Sequence, residues 1–473
     1  MADEPQSLSA ADPRGLLSLL DRTAAKIPAR TDRTGDFTRL SADAARGDVI
    51  TVPSQLQGRR RRLHIRNTVL EDHRARLRVA PDAVVGTVEH LAEDVFSFFR
   101  GTALLYYRDL VGEDAWLPTV PSVGDVHPAN FGVLPGADGQ PVFSAKHFDE
   151  AWPAPFTWDV HRGAVGFALL AGSRDLPEKK WWKLARTFLD GYVIGVDDCL
   201  PDPTSVTTSL TAQDAPACLE PFFRRAQRSR EKFLKKWIDL ETCTFLETDQ
   251  VTRQPGAAAL LRPLIEKYAR RIDTAGLPEN FFGIRDVATR TGSGAAGPGL
   301  PRFRVLVEGH GPDAGEKVIL ELRLSRRSAL QGLVPKDPDI PLSHAERTAR
   351  AFRAFVADGD PLYGHVSAGG LTFLAHEHSP MTVPVDTGGF SWSQLKEYAE
   401  LCGRQIAHLH GRSGAAEDPA VIRTIAGQVR REVFLTDGEE FTRETVARIL
   451  DDHRMFREDV AAGAFRPLRP VTR

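Results

Sequence analysis

Cysteine is scarce in this chain: Cys199, Cys218, Cys243 and Cys402 are the only four in 473 residues, and no two form a C-x-x-C pair. Such spacing offers neither a zinc-ribbon ligand set nor a disulfide framework. Long apolar runs are missing too. The longest, around Ala164 to Ala171, is far short of the roughly 20 residues that span a bilayer. The N-terminal MADEPQSLSAADPRG is acidic and polar, without the apolar region of a secretory signal, so a cytosolic protein with no membrane partner is expected. Neither sign of charge dominates: 61 basic and 63 acidic side chains leave a net charge of −2. A nucleic-acid partner is not expected, because phosphate backbones are bound by clustered positive charge. The one basic run, Arg59 to Arg62 continued by Arg66, reads as a solvated helix end or loop. Internal repeats and low-complexity segments are absent as well.

What is present is an ordinary globular composition, 42% hydrophobic and 26% charged, in a chain long enough for one large bilobed domain or two to three smaller ones. Residues 1–50 are irregular apart from an amphipathic piece at Leu16 to Ala25. Gly58 to Leu77 reads as a charged helix. Val84 to Leu110 carries apolar residues at helical spacing and ends at Val111-Gly112. A loop and a hairpin follow, Phe131 to Leu134 and Pro141 to Ser144 around the turn Pro135-Gly-Ala-Asp-Gly. Pro153 and Pro155 precede an apolar helix, Trp158 to Ala171. Helices are then expected at Trp181 to Leu200, Leu219 to Leu240 and Ala257 to Ile272. After a composition shift at Gly276 come a glycine-dense run from Thr291 to Gly299 and two strands, Phe303 to Gly309 and Val318 to Leu324. A helix from Ser343 to Asp358, short strands near Leu371 to Leu374 and Met381 to Val385, and helices at Trp392 to His410 and Arg443 to Ala462 complete the pattern.

The chemistry concentrates between Ser122 and Arg162. Asp125, His127 and Asn130 form a tight G-D-x-H-x-x-N-F run, and Asp149 and Glu150 follow the hairpin. This order suits magnesium-dependent phosphoryl transfer. Asp125 would accept the proton of the attacking hydroxyl, while Asn130 and Asp149 would hold Mg²⁺ against the phosphates of ATP. His127 either braces the loop through a backbone bond or joins the chemistry. Asp159, at a helix start, is placed to accept backbone N–H bonds and hold the loop. Arg100, on an amphipathic helix, is a candidate for binding phosphate or carboxylate. Trp181 and Trp182 read as packing residues.

A second set of parts lies downstream. Gly292, Ser293, Gly294 and Gly297 would cover the phosphates through backbone N–H groups, Arg323 would be the basic strand residue, and Glu346 would sit on the next helix. Lys317 and Lys146 are substitutes should Arg323 not make the phosphate contact. Kinase-like phosphotransferases place such a β-rich set first, so its later position implies a circular permutation, which chain termini lying close together permit.

The pieces FFRG at Phe98 to Gly101, GDVHPANFG at Gly124 to Gly132, FDE at Phe148 to Glu150, PFTWD at Pro155 to Asp159 and LCGRQIAHLH at Leu401 to His410 together resemble the bacterial "domain of unknown function 2252" proteins, regarded as distant kinase-like relatives. The resemblance covers most of residues 65–460. Gly124 to Asn130 is also similar to the H-G-D-x-H-x-x-N loop of aminoglycoside phosphotransferases, with Val123 in place of the histidine. Two departures stand out: Lys146-His147-Phe148-Asp149-Glu150 where the family usually reads N-D-F-D-E, and Arg323 where it usually has Lys. Arginine keeps the charge but not the point-charge geometry of lysine.

The expectation is therefore an α+β, bilobed, circularly permuted protein-kinase-like fold with a large helical lobe and a small β-rich lobe. Residues 1–83 would be an N-terminal extension, 84–280 the helical lobe, 281–390 the nucleotide lobe and 391–473 helices packing back on the helical lobe. The expected activity is ATP- and Mg²⁺-dependent transfer to a hydroxyl or carboxylate of a small-molecule acceptor. A nucleotide-binding protein without transfer, or adenylyl transfer or amide formation at the same site, is the alternative. A two-metal phosphoesterase would need further G-D-x-x-D and G-N-H runs, which the chain lacks.

Overall fold

The computed structural model describes residues 33–48, 51–77, 81–290, 302–334, 342–356, 359–368, 371–416 and 418–465. Helices α1 (Thr34–Ala45), α2 (Gly58–Leu77), α3 (Pro81–Glu93), α4 (Val95–Gly101) and α5 (Ala103–Asp109) lead into strand β1 (Thr119–Ser122). The apolar periodicity from Val84 to Leu110 thus resolves into three helices rather than one. Asp94 breaks the first pair, because its carboxylate accepts the N–H of Ser97 at 2.9 Å and starts α4.

Strands β2 (Phe131–Pro135) and β3 (Pro141–Ala145) form the hairpin whose turn the sequence marks, and β4 (Trp152–Pro155) pairs with β1. Helix α6 (Phe156–Ser173) is buried along almost its whole length and forms the centre of the largest core cluster. Around it pack α7 (Glu178–Cys199), α12 (Trp392–Ala415) and the long α14 (Arg431–Ala461). Small residues let α7 and α12 touch at the backbone: a Cβ on Gly403 would stand 2.0 Å from the Phe188 carbonyl oxygen. Helix α14 begins at Arg431 rather than Arg443, because Phe434, Leu435 and Gly438 bury against α6 and α7, with Phe434 stacked on Phe156 at 6.3 Å.

The segment expected as one helix from Leu219 to Leu240 is broken. Helices α8 (Glu220–Ala226) and α9 (Arg230–Leu234) give way to a small pair, β5 (Ile238–Asp239) and β6 (Thr244–Phe245). Leu234, Ile238 and Phe245 are drawn onto one face of a six-stranded sheet, where they cover Leu306 and Ile319. That sheet runs β11 (Gly364–Ala368), β12 (Leu371–Glu377), β10 (Val318–Leu324), β9 (Arg302–Val307), β8 (Ile284–Arg290), β7 (Val251–Arg253), with every neighbour antiparallel. Its other face buries Phe303, Val305, Val318, Leu320 and Leu322 against Leu261, Ile265 and Tyr268 of α10 (Ala258–Ala269). Strand β7 and α10 therefore belong with the sheet. The sequence boundary at 280/281 puts them with the helices, because their amphipathic pattern does not say which surface they cover.

Helices and antiparallel strands are segregated in this way, which makes the fold α+β. Helices α11 (His344–Phe355) and α13 (Val421–Gln428) and the two-residue strand β13 (Val383–Pro384), added to the edge of β2, complete it. Among the described residues no helix is long and apolar enough to cross a membrane.

Candidate active site

The turn after β1 is held from behind by α6. Asp159, fully buried in the first turn of that helix, accepts the N–H groups of Val123 at 2.6 Å and Gly124 at 2.9 Å. His410 Nε2 approaches the same carboxylate at 3.0 Å, with the Tyr192 hydroxyl on its other nitrogen. Gly124 has φ of +90°, and a Cβ there would stand 2.2 Å from the Glu150 carbonyl oxygen, so only glycine lets the loop pass so close to the turn before β4. His127 braces the next turn: its Nδ1 accepts the N–H of Ala129 at 3.2 Å at the start of Pro128–Asn130. The Asn130 side chain donates to the carbonyls of Asp125 (2.9 Å) and His147 (3.1 Å) and accepts the N–H of His147 (3.1 Å), tying the loop to the end of the hairpin.

Asp125 points from this loop into a cavity of about 430 Å³ between the helices and the sheet. Burial alone would push its carboxyl up. The Arg162 guanidinium, 2.5 and 2.8 Å from Oδ1, and His127 outweigh burial and hold it well below the usual carboxylate range. Arg162 is itself completely buried against the rings of Phe99 and Tyr106. In the same cavity Asp149 meets Arg323, whose Nη2 lies 2.8 and 2.9 Å from the two carboxylate oxygens. Here too burial raises the carboxyl, and the guanidinium brings it down to about 2. The neighbouring Glu150 accepts Arg326 Nη2 and the N–H of Ala329, each at 2.5 Å.

The sheet face of the cavity is crowded with cations. Arg302 and Arg304 on β9 lie directly opposite Arg323 and Glu321 on β10, on one face because the side-chain period of a strand is two. Glu321 is approached by Arg302 at 3.5 Å, Arg304 at 3.7 Å and Arg290 at 4.0 Å, with His376 also at 4.0 Å. Burial raises its carboxyl, but Arg302 and its other cationic neighbours hold it near 2. One carboxylate thus serves three guanidinium groups. Arg290 Nε and Arg304 Nε and Nη1 are buried without hydrogen-bond partners.

At the far end, Asp360 is buried beside Glu377, and burial and that neighbour push its carboxyl up to about 7. An acid with a raised folded pKa stabilises fully below its unfolded pKa near 4 and loses that stability as pH rises to 7. From pH 8 to pH 5 the wild type should therefore gain roughly 2 kcal/mol of unfolding free energy relative to Asp360→Asn. Urea titrations of both proteins at the two pH values check this, and a pH-independent difference contradicts it.

Of the residues singled out in the sequence, Asp125, His127, Asn130, Asp149, Arg100 and Arg323 all line this one cavity, with Asp159 directly behind the loop. Glu346 does not join them. It pairs with Arg350 at 2.8 Å one turn along its own helix, and the next residue, Arg347, faces the site instead, donating to the carbonyls of Asp149 and Ala151. Lys317 pairs with Glu308 at 2.8 Å away from the cavity, whereas Lys146 lines it. Gly292, Ser293, Gly294 and Gly297 lie outside the described residues, but the two ends of their stretch, Arg290 and Arg302, both line the cavity. Sequence reading missed Arg162, Arg290, Arg302, Glu321 and Arg326. For Arg302 and Glu321 a signal was available: charged residues two apart in otherwise apolar strands, as at Arg302/Arg304 and Glu321/Arg323, mark one face of a sheet as polar.

Among the described residues no group of three or more His, Cys, Asp or Glu side chains is placed to hold a metal ion by itself. Asn130 Oδ1 accepts one bond and the Asp149 carboxylate meets a single guanidinium nitrogen, so both keep free lone pairs on the cavity side. Such a donor set fits a cation that takes most of its oxygens from phosphate and water, as Mg²⁺ does.

With its helical core, antiparallel sheet and charged cavity, the molecule is an α+β protein whose site is assembled from distant segments. The model of a family of uncharacterized proteins conserved in bacteria, DUF2252, matches residues 78–459, and the chain belongs to that family. No curated protein and no solved structure matches it.

Proposed function

We propose that the protein is an ATP- and Mg²⁺-dependent phosphotransferase acting on a small-molecule hydroxyl or carboxylate, built as a circularly permuted relative of the kinase-like fold. The observation carrying this reading is that Asp125, Asn130 and Asp149 from one segment share a cavity with Arg323 and with both ends of the glycine-rich stretch some 170 positions later. A phosphoryl donor needs cations that match its charge, and Arg290, Arg302 and Arg323 supply guanidinium groups with donors to spare. Leu134, Pro135 and Pro384 give the same cavity an apolar wall.

On this reading Asp125 receives the acceptor hydroxyl at Oδ2, the oxygen not taken by Arg162. Its depressed pKa makes it a weak base that stays ionised. That suffices for phosphoryl transfer through a loose transition state, where positioning matters more than basicity. Asp159, His410 and Tyr107, whose hydroxyl donates to the Gly124 carbonyl, keep the loop from drifting. Asn130 and Asp149 would hold Mg²⁺, which neutralises phosphate charge when bound. Arg323 would leave Asp149 for a phosphate oxygen.

A second reading, nucleotide binding without transfer, is favoured by one feature: Asp125, Asp149 and Asn130 are each engaged by the chain's own groups. Measuring γ-phosphate loss from Mg·ATP separates the two. Catalysed loss supports transfer, and tight binding without loss supports the second reading.

A further inference from the structure

Around Asp125 the charges do not balance. Four carboxylates line the cavity beside it and share three guanidinium groups: Asp125 has Arg162, Asp149 has Arg323, and Asp72 and Glu150 divide Arg326 between them. Arg100 and Lys146 line the same cavity and make no ion pair among the described residues. Arg100 closes α4 and lies over the Phe96 ring, 5.7 Å from its centroid, while His127 meets that ring edge-on at 6.3 Å. Its Nε is buried without a partner. Lys146 follows β3 and is anchored by its N–H to the Asn130 carbonyl at 3.1 Å. Arg100 feels Asp125 and Asp94 only beyond ion-pair distance, and two partly desolvated cations without an ion pair are costly unless a ligand compensates them.

We infer that the acceptor is an anionic small molecule, a hydroxyl compound whose carboxylate or phosphate group is held between Arg100 and Lys146 while its hydroxyl faces Asp125. This rests on the phosphotransferase reading for the word acceptor, but the anion site stands on its own charges. Arg290, Arg302 and Arg323 come from the strands of the sheet and are assigned here to the donor, so the two anions need not compete.

Calorimetry on the full chain tests this with glycerol 3-phosphate, glycerate and uncharged glycerol, each with and without saturating Mg²⁺ and a non-hydrolysable ATP analogue. At least one of the two anions should bind while glycerol does not, and the bound anion should tolerate the nucleotide analogue. Whichever anion binds decides between phosphate and carboxylate. Arg100→Gln and Lys146→Gln should each weaken it at least tenfold, with unfolding midpoints measured alongside to exclude a folding defect. Binding of an anion with no binding of the nucleotide would leave the anion site intact and sink the phosphotransferase reading instead. If neither anion binds, if the nucleotide analogue displaces it, or if both variants bind as the wild type does, the inference is overturned.

Discussion

Asp125→Asn should bind Mg·ATP within about twofold of wild type and lose phosphoryl transfer by roughly a thousandfold, the scale of a missing acid–base group. The asymmetry follows from position. Asp125 sits on the loop beside His127, whereas Arg290, Arg302 and Arg323 come from the strands of the six-stranded sheet. The asparagine keeps one oxygen for Arg162, so the loop stays in place, and it removes the charge that is proposed to orient the acceptor hydroxyl. Release of γ-phosphate, with water standing in for the acceptor, measures the loss, and calorimetry measures the binding. Unchanged turnover in this variant would refute the assigned role.

The second large effect lies outside the site. Arg61→Ala should cost about 3–5 kcal/mol of stability, because it strands buried Asp452 and leaves buried Asp109 with only one guanidinium, that of Arg448 at 3.3 Å. Arg61 is 3% exposed in its side chain, and its guanidinium bonds Asp109 at 2.6 Å, Asp452 at 2.8 Å and the Pro53 carbonyl at 2.9 Å. It thereby pins α2 to α5 and to the C-terminal α14. Arg59 and Arg60, exposed on the same helix, serve as controls and should each change stability by less than about 0.5 kcal/mol when replaced by alanine. Urea unfolding compares them, and equal losses in all three variants would contradict the burial argument.

That contrast shows where sequence reading stops. The run of four arginines reads as one solvated patch, since nothing in its composition says that the third of them faces two aspartates, one of them 391 positions away. Local signals fared differently. The Pro135–Gly139 turn and its flanking strands were legible from composition, and so was the compact loop around Asp125, because turns and caps are decided by neighbouring residues. The partners of that loop were less so. Arg323 stood out as a charge in an apolar strand, yet its contact with Asp149 depends on how the sheet sits against the helices. Glu346 had the right place in the order of elements, but a helix turns 100° per residue, and it is Arg347 that faces the site. The split of Leu219 to Leu240 was hidden for the same reason: Ile238 and Phe245 answer to a sheet face assembled from later strands.

On the proposed reading Asp149 and Arg323, paired with each other in this structure, part to grip one Mg·ATP between them. Calorimetric titration of ATP with and without Mg²⁺ into wild type, Asp149→Ala and Arg323→Ala tests it most directly. Wild type should bind only with the metal present. Asp149→Ala should lose that metal dependence, and Arg323→Ala should bind at least tenfold more weakly. Absence of Mg·ATP binding in wild type, or binding that neither substitution alters, would contradict the account.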